Sequence, residues 1–248
     1  MWDSAERLNR IADLLLALAA LLALYGALHF ALRLPLFPLR EVLLTQPPSL
    51  VRADQVAALI QREVRGNFFT VDLVALRAAF AKLPWVRDVS LRRSWPDRIE
   101  VTLEEHVPLA RWGDSALVNH HGEVFNAAYD GALPLFIGPA GSAKEMAIQY
   151  EYFRRSLAPI GKTPQELQVT ARRAWQIKLD DGTTLELGRE ALEARLARFV
   201  AAYKGALDPL SGKVEQVDLR YANGFAVRIP ELRHDKRGPR DRNKTSQG

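Results

Sequence analysis

The sequence predicts an α+β protein: a single N-terminal transmembrane helix, a compact β-α-α-β-β unit, then a mostly antiparallel β-domain with flanking helices. Three observations predict it. Residues 14–32 form an uncharged apolar run, two helical stripes between residues 38 and 108 are bracketed by alternating segments, and beyond residue 109 short alternating segments are separated by tight-turn residues.

The run LLLALAALLALYGALHFAL contains no formal charge, and His29 is its one strongly polar member. At about 1.5 Å per residue it covers roughly 28 Å, close to the hydrocarbon thickness of a bilayer. Backbone groups in lipid must be satisfied within the segment, so one such stretch must be helical. A cleaved signal peptide has a shorter apolar core, about 7–15 residues, and a small-residue cleavage site. Here Leu34-Pro35-Leu36-Phe37-Pro38 follows instead, so the helix is expected to be retained. Ala19, Ala23, Ala27 and Ala31 recur every four residues and form a small-residue face on which another helix could pack. Residues 1–13 would be a short tail on one side of the membrane. Arg7 and Arg10 precede the span and Arg33, Arg40 and Arg52 follow it, so charge alone leaves the orientation open.

The first folded unit is expected over residues 38–108. Residues 39–45 read as a strand. Val56, Leu59, Ile60 and Val64 follow at helical spacing, with Asp54 near the helix start and Gly66-Asn67 at its end. Asp72 can cap a second helix carrying Leu73, Leu76, Phe80 and Leu83 on one face, which Pro84 stops. Val89 and Leu91, then Ile99, Val101 and Leu103, alternate with polar residues around the turn Trp95-Pro96-Asp97.

The second unit is expected over residues 109–232. Residues 109–112, 116–118 and 124–126 are short strand candidates. Met146, Tyr150, Phe153 and Leu157 make a helical stripe, and Leu192, Leu196, Phe199, Val200 and Tyr203 another. Residues 175–179 and 183–187 flank Asp180-Asp181-Gly182, a strong hairpin signal; residues 214–221 and 225–229 flank Ala222-Asn223-Gly224, a final hairpin.

Composition narrows the function. The formal charge is +5, but residues 233–248 hold six Lys/Arg against two Asp, leaving +1 for the rest. The basicity therefore belongs to a tail without apolar periodicity, expected to be disordered, and not to a nucleic-acid face. There is no cysteine, hence neither disulfide nor thiolate metal site. Gly138-Pro-Ala-Gly141-Ser142-Ala-Lys144 lacks the spacing of a phosphate loop, and Pro139 removes an amide donor. His120-His121 read as a turn pair, because strand neighbours point to opposite faces. Asp180-Asp181 belong to a tight turn, and Glu104-Glu105-His106 read as solvated strand-end charges. No cofactor, metal, small-molecule substrate or catalytic residue is expected. The informative element is the last strand, residues 225–229. It is a natural sheet edge, which must be blunted, here by Arg228 and Pro230, or used to take up a partner strand.

Several segments in order resemble one family. They are Phe37-Pro-Leu-Arg40, Gly66-Asn-Phe-Phe-Thr-Val-Asp-Leu73, Leu83-Pro-Trp-Val-Arg87, Arg92-Arg-Ser-Trp-Pro-Asp97 and Glu104-Glu-His-x-Pro108, then Gly122-Glu-Val-Phe125, Leu185-x-Leu-Gly-Arg189, Arg195-Leu-Ala-Arg-Phe-Val200 and Val217-Asp-Leu-Arg-Tyr221. Together they resemble the bacterial cell-division FtsQ/DivIB family, from the anchor to about Leu232. The chain departs from that pattern at Gln46-Pro47-Pro48, where the family commonly has Gly, and at Val227-Arg228-Ile229.

The resemblance implies a POTRA domain followed by a β-domain, both periplasmic, on a type II anchor of the inner membrane with its N-terminus in the cytoplasm. It further implies a non-catalytic divisome scaffold at the septum, joining early components such as FtsK to FtsB and FtsL and onward to FtsW and FtsI. By the same resemblance FtsB adds to the last strands. Asp218-Leu-Arg220-Tyr221 and Asn223-Gly224-Phe225 would contact it, and Arg172 would pair with an acidic FtsB side chain. The competing reading is another membrane-anchored periplasmic POTRA adaptor of an envelope assembly or transport complex.

Overall fold

A computed structural model of the chain describes residues 3–33, 37–207 and 214–230, so the expected basic tail lies outside the described residues. The apolar run forms part of one long helix, α1 (Asp3–Arg33). Within it Asn9–Leu32 is long and apolar enough to cross a membrane, with a mean hydropathy of 2.2 and none of it buried. Ala19, Ala23, Ala27 and Ala31 are exposed along it. The chain divides into two units, Met1–His106 and Val107–Gly248.

After α1, the first unit runs β1 (Glu41–Leu44), α2 (Ala53–Glu63), α3 (Leu73–Phe80), β2 (Val86–Ser94) and β3 (Arg98–Glu105), the expected β-α-α-β-β pattern. β2 and β3 form an antiparallel hairpin. The two helices return the chain to the start of the sheet, so β1 joins β3 in parallel and the order is β1-β3-β2. Val56, Leu59, Leu76 and Phe80 from the helical stripes bury against Val89, Ile99 and Val101 of the sheet. The Asp72 carboxylate accepts from the backbone N–H groups of Val74 and Ala75 and so caps α3 as expected. That helix ends at Phe80, short of Leu83, because the chain tightens into turns ahead of Pro84, with Leu83 N–H donating to the Phe80 carbonyl.

The turn after α2 is built around Asn67. Its Oδ1 accepts from the Phe69 and Thr70 amides, both at 3.0 Å, and its Nδ2 donates to the Leu32 carbonyl of α1 at 2.7 Å. Gly66 sits at φ +100°, and a Cβ there would meet Thr70 Oγ1 at 2.6 Å, so glycine is required. Arg93 of β2 crosses to this turn and donates to the carbonyls of Phe68 and Val71, both at 2.9 Å.

Glu105 corrects the sequence reading. It is half-buried and not a solvated strand-end charge: its carboxylate accepts from the backbone amides of Ser49, Leu50 and Val51 at 2.9, 2.9 and 2.7 Å and from the Ser49 hydroxyl. It thereby fixes the loop after Gln46-Pro47-Pro48, whose prolines supply no donors of their own. Burial pushes this carboxyl up, but the four hydrogen bonds outweigh it and hold the group below the usual carboxylate range.

The second unit carries β4 (Pro108–Trp112), β5 (Ala116–Asn119), β6 (Val124–Phe125), β7 (Leu135–Ile137), α4 (Ala143–Leu157), β8 (Pro164–Val169), β9 (Trp175–Leu179), β10 (Thr184–Gly188), α5 (Leu192–Ala202), β11 (Gln216–Asp218) and β12 (Ala226–Arg228). They form one sheet in the order β12-β11-β10-β9-β8-β7-β4-β5-β6. It is mostly antiparallel, with parallel pairings at β4–β7, β7–β8 and β10–β11. Two of these follow from α4 and α5, each a crossover helix between neighbouring strands, which returns the second strand in the same direction. Both helices pack on one face: Met146, Phe153, Leu196 and Phe199 meet Leu167, Ile177, Leu185 and Val217. The other face is polar, with Gln176, Lys178, Thr184 and Glu186.

β7 and β8 went unassigned from sequence. β7 has three residues, and β8 begins at a proline and carries a register shift between Pro164 and Glu166 that interrupts the alternation. His120 and His121 follow β5 in the turn that Asn119 organises. Asp180 and Asp181 occupy the β9–β10 turn, where Asp181 pairs with Lys162 at 2.6 Å.

Glu105→Gln replaces an acceptor by a donor aimed at amides. In the full chain it is expected to speed hydrogen exchange at residues 49–51 roughly thirty-fold, about 2 kcal/mol, and to leave the second unit unchanged. Because the folded carboxyl lies below its unfolded value, the wild-type stabilisation is present above about pH 4.5 and fades as pH falls through the lower folded value. Exchange at these amides followed down a pH series, relative to the Gln variant, checks the sign.

Candidate functional site

The edge of the large sheet begins with α5. Its apolar stripe, Leu196 and Phe199, faces the core, and Arg195 and Arg198 leave the helix one turn apart beside it. Arg195 Nη1 donates to the Leu187 carbonyl at the end of β10, and Nη2 donates to the Arg220 carbonyl at 3.3 Å. Arg198 Nη1 donates to the carbonyls of Tyr221 and Gly224, at 2.8 and 3.3 Å. The two guanidinium groups thus occupy the carbonyls of the turn between β11 and β12. Gly188, at φ +74°, lies under this crossing: a Cβ there would meet Arg195 Nη1 at 2.9 Å and Arg220 Cγ at 3.2 Å.

β11 is tied into the sheet on one side by parallel pairing with β10, Leu185 opposite Val217. On its other side β12 pairs antiparallel, Val227 opposite Val217 and Ala226 opposite Asp218. Among the described residues β12 has no further neighbour in the sheet order, so alternate N–H and C=O groups along Ala226–Arg228 face outward. Ala226 and Arg228 are exposed and Val227 half-buried. A shallow groove of about 550 Å³ crosses the outer three strands at this end of the sheet, lined among others by Glu186, Asp218, Arg220, Tyr221, Val227 and Ile229.

The electrostatics of the groove are internally balanced. Arg220 forms a two-pronged pair with Asp218, Nε to Oδ1 at 2.8 Å and Nη2 to Oδ2 at 2.6 Å, and reaches Glu186 at 3.0 Å. Gln216 donates from its side-chain amide to Glu186. The Arg220 hydrogen bond, opposed by partial burial, holds the Asp218 carboxyl below its ordinary value; in turn Asp218 and Glu186 hold the Arg220 guanidinium above its own.

Of the residues singled out from sequence, Arg220 and Tyr221 share the groove, and Tyr221 is 57% exposed. Asn223 and Gly224 form the turn, Asn223 exposed and Gly224 half-buried. Phe225 is half-buried and packs against the core of its unit. Arg172 lies apart, on the turn between β8 and β9, and is exposed. That turn is held by Thr170 and by Arg173, which adopts φ +60° and pairs with Glu145. Among the described residues Arg172 has no ion-pair partner. Ala174, two positions on, lines a hollow with Arg189, Arg195 and Arg220, so Arg172 sits toward the Arg220 end of the sheet. Arg195, Arg198 and Glu186 were not singled out by sequence reasoning. The available signal was two arginines one turn apart on the flank of an apolar stripe.

The family described as Cell division protein FtsQ/DivIB, C-terminal, matches residues 110–220, and the POTRA domain, FtsQ-type, matches residues 37–106. Over 233 residues the chain is 46% identical to the Cell division protein FtsQ of Nitrosospira multiformis, covering 92% of this chain and 99% of that protein. The chain belongs to the FtsQ/DivIB cell-division family. It is 42% identical over 240 residues to the FtsQ of Burkholderia pseudomallei, covering 94% and 96% of the two chains. That of Neisseria gonorrhoeae is 37% identical over 231 residues, covering 92% and 95%. The family's C-terminal match ends at Arg220, so the edge strand itself lies beyond it.

Arg198→Ala removes the donors to both turn carbonyls. Amides of residues 221–228 are expected to exchange roughly fivefold faster, about 1 kcal/mol, with the core strands β8 and β9 unaffected. Peptide-resolved hydrogen exchange on the full chain reads both.

Proposed function

We propose that the chain is a non-catalytic, single-span scaffold of the bacterial division machinery that captures FtsB by strand addition to β12. On this reading residues 1–13 are cytoplasmic and 14–34 cross the inner membrane as a type II anchor. Residues 38–108 form a periplasmic POTRA domain and 109–232 a periplasmic β-domain. The protein gathers at the division septum, where it links early components such as FtsK to FtsB and FtsL, and through them to FtsW and FtsI.

The observation that carries the reading is the edge of β12, unpaired among the described residues, beside a groove holding Arg220 and Tyr221. An incoming strand would complete the ladder with main-chain hydrogen bonds, and side chains of alternate residues would lie in the groove. The three-residue strand leaves few backbone groups to water, and an added strand would pair with those few while its side chains supply the remaining contacts. Arg172, exposed on its rigid turn, suits an acidic side chain of the same partner. Arg220, already paired with Asp218 and Glu186, serves to hold the end of β11 in position. Membership of a cell-division family supports a structural role, as does the absence from the sequence of a recognised catalytic spacing.

The test is co-purification of the full chain with tagged FtsB and FtsL. Tyr221→Glu, at an exposed position, is expected to weaken FtsB capture about tenfold or more while the unit stays folded. Arg172→Glu should do the same and be partly restored by charge reversal on FtsB. Phe225→Lys should abolish capture, with circular dichroism separating lost contact from lost packing. A folded Tyr221→Glu chain that retains full capture would remove the edge from this role.

A further inference from the structure

The first unit has a second unaccounted surface, at the end where the chain leaves α1. Asn67 Nδ2 bonds the Leu32 carbonyl, and Phe69 and Thr70 line a hollow with His29 and Leu32, so the turn after α2 lies against the last turns of α1. Phe37 joins the same place: its carbonyl accepts from Phe68 N–H at 3.0 Å, and its ring meets that of Phe69 edge-on at 5.1 Å. The β2–β3 turn is there too. Arg40 N–H donates to the Asp97 carbonyl at 3.0 Å, and Arg93 bonds the Phe68 carbonyl, which brings Trp95 to this end.

Three aromatic side chains are left open here: Phe37 is 40% exposed, Phe69 41% and Trp95 77%. Arg40 and Arg98 flank them, their side chains 73% and 53% exposed and lightly held by Asp97 and Glu41. Geometry says what meets this surface. Residues 14–32 span about 28 Å, so Leu32 lies at the hydrocarbon boundary. The polar layer beyond is about 5–7 Å deep on each side, near the pitch of one helical turn. A ring beside Leu32 therefore lies within it. That layer favours aromatic rings and arginines whose guanidinium groups reach phosphates.

We propose that the end of the first unit bearing Phe37, Phe69 and Trp95 seats in the headgroup layer of the bilayer, with Arg40 and Arg98 at the lipid phosphates. The proposal rests on the reading of α1 as a membrane span. The unit is then docked on the membrane surface and does not swing freely from its anchor.

The absence of cysteine makes the test direct, because any introduced cysteine is a unique labelling site. Phe69→Cys and Trp95→Cys, carrying nitroxide labels, are placed with the full chain in nanodiscs of phosphatidylethanolamine and phosphatidylglycerol. Accessibility to oxygen and to a nickel chelate is then measured. Leu21→Cys reports the span, and Lys82→Cys, exposed at the far end of the nine-residue β2, reports water. The labels at 69 and 95 are expected to show an oxygen-to-nickel ratio several-fold above that at 82 and approaching that at 21. Ratios at 69 and 95 equal to that at 82, with Leu21→Cys buried in lipid, overturn the docking while leaving the span intact. Shielding that appears only after a membrane-protein extract is added also overturns it, since lipid alone would then be insufficient. If Leu21→Cys is itself open to nickel, the span reading fails and the docking with it.

Discussion

The hydrogen bonds from Arg195 and Arg198 to four backbone carbonyls hold the C-terminal hairpin on the sheet. β11 and β12 have three residues each, too few for ladder bonds and apolar burial alone to define a register. Val217 buries fully but Val227 only in part, so the outer strand gains little from the core. Guanidinium donors anchored on a packed helix supply what the strands lack. They are directional, doubly charged in sum, and fixed by Leu196 and Phe199 sinking into the core beside them. The edge can therefore be short and open without fraying. That combination suits a surface that must stay available and stay in register.

The same device recurs in the first unit. Arg93 gathers the carbonyls of the turn that follows α2, and Glu105 gathers the amides of the loop that precedes it. In each case one charged side chain on a strand organises a segment with little apolar content of its own. Charged hydrogen bonds to backbone are roughly twice as strong as neutral ones, which lets small units with modest cores keep defined loops. The two units thus share a construction principle although their sheets differ in size and topology.

Much of the fold was legible in local pattern. The α1 run, the Asp72 cap, the Asp180-Asp181-Gly182 turn and the stripes of α4 and α5 each rest on interactions within a few residues, and they fold as read. β8 was illegible because a bulge breaks its alternation, and β7 because three residues carry no period. The parallel pairings at β4–β7 and β7–β8 were illegible because they involve those two strands. Glu105 was misread because its four partners lie more than fifty residues away in sequence.

The sequence by itself determined the elements of the first unit, the apolar helix, the two amphipathic helices of the second unit and the placing of an edge at the last strand, because these depend on short-range periodicity and turn chemistry. The tertiary structure alone decided that Arg220 is spent on Asp218 and Glu186 while Arg172 stays open, and that Arg195 and Arg198 hold the hairpin from behind. It also decided that Phe37 and Phe69 meet at the end of α1, with the turn that carries Trp95 tied to the same end. An arginine looks the same in sequence whether it is paired or free, and only the positions of the chain's distant carboxylates and carbonyls settle which it is.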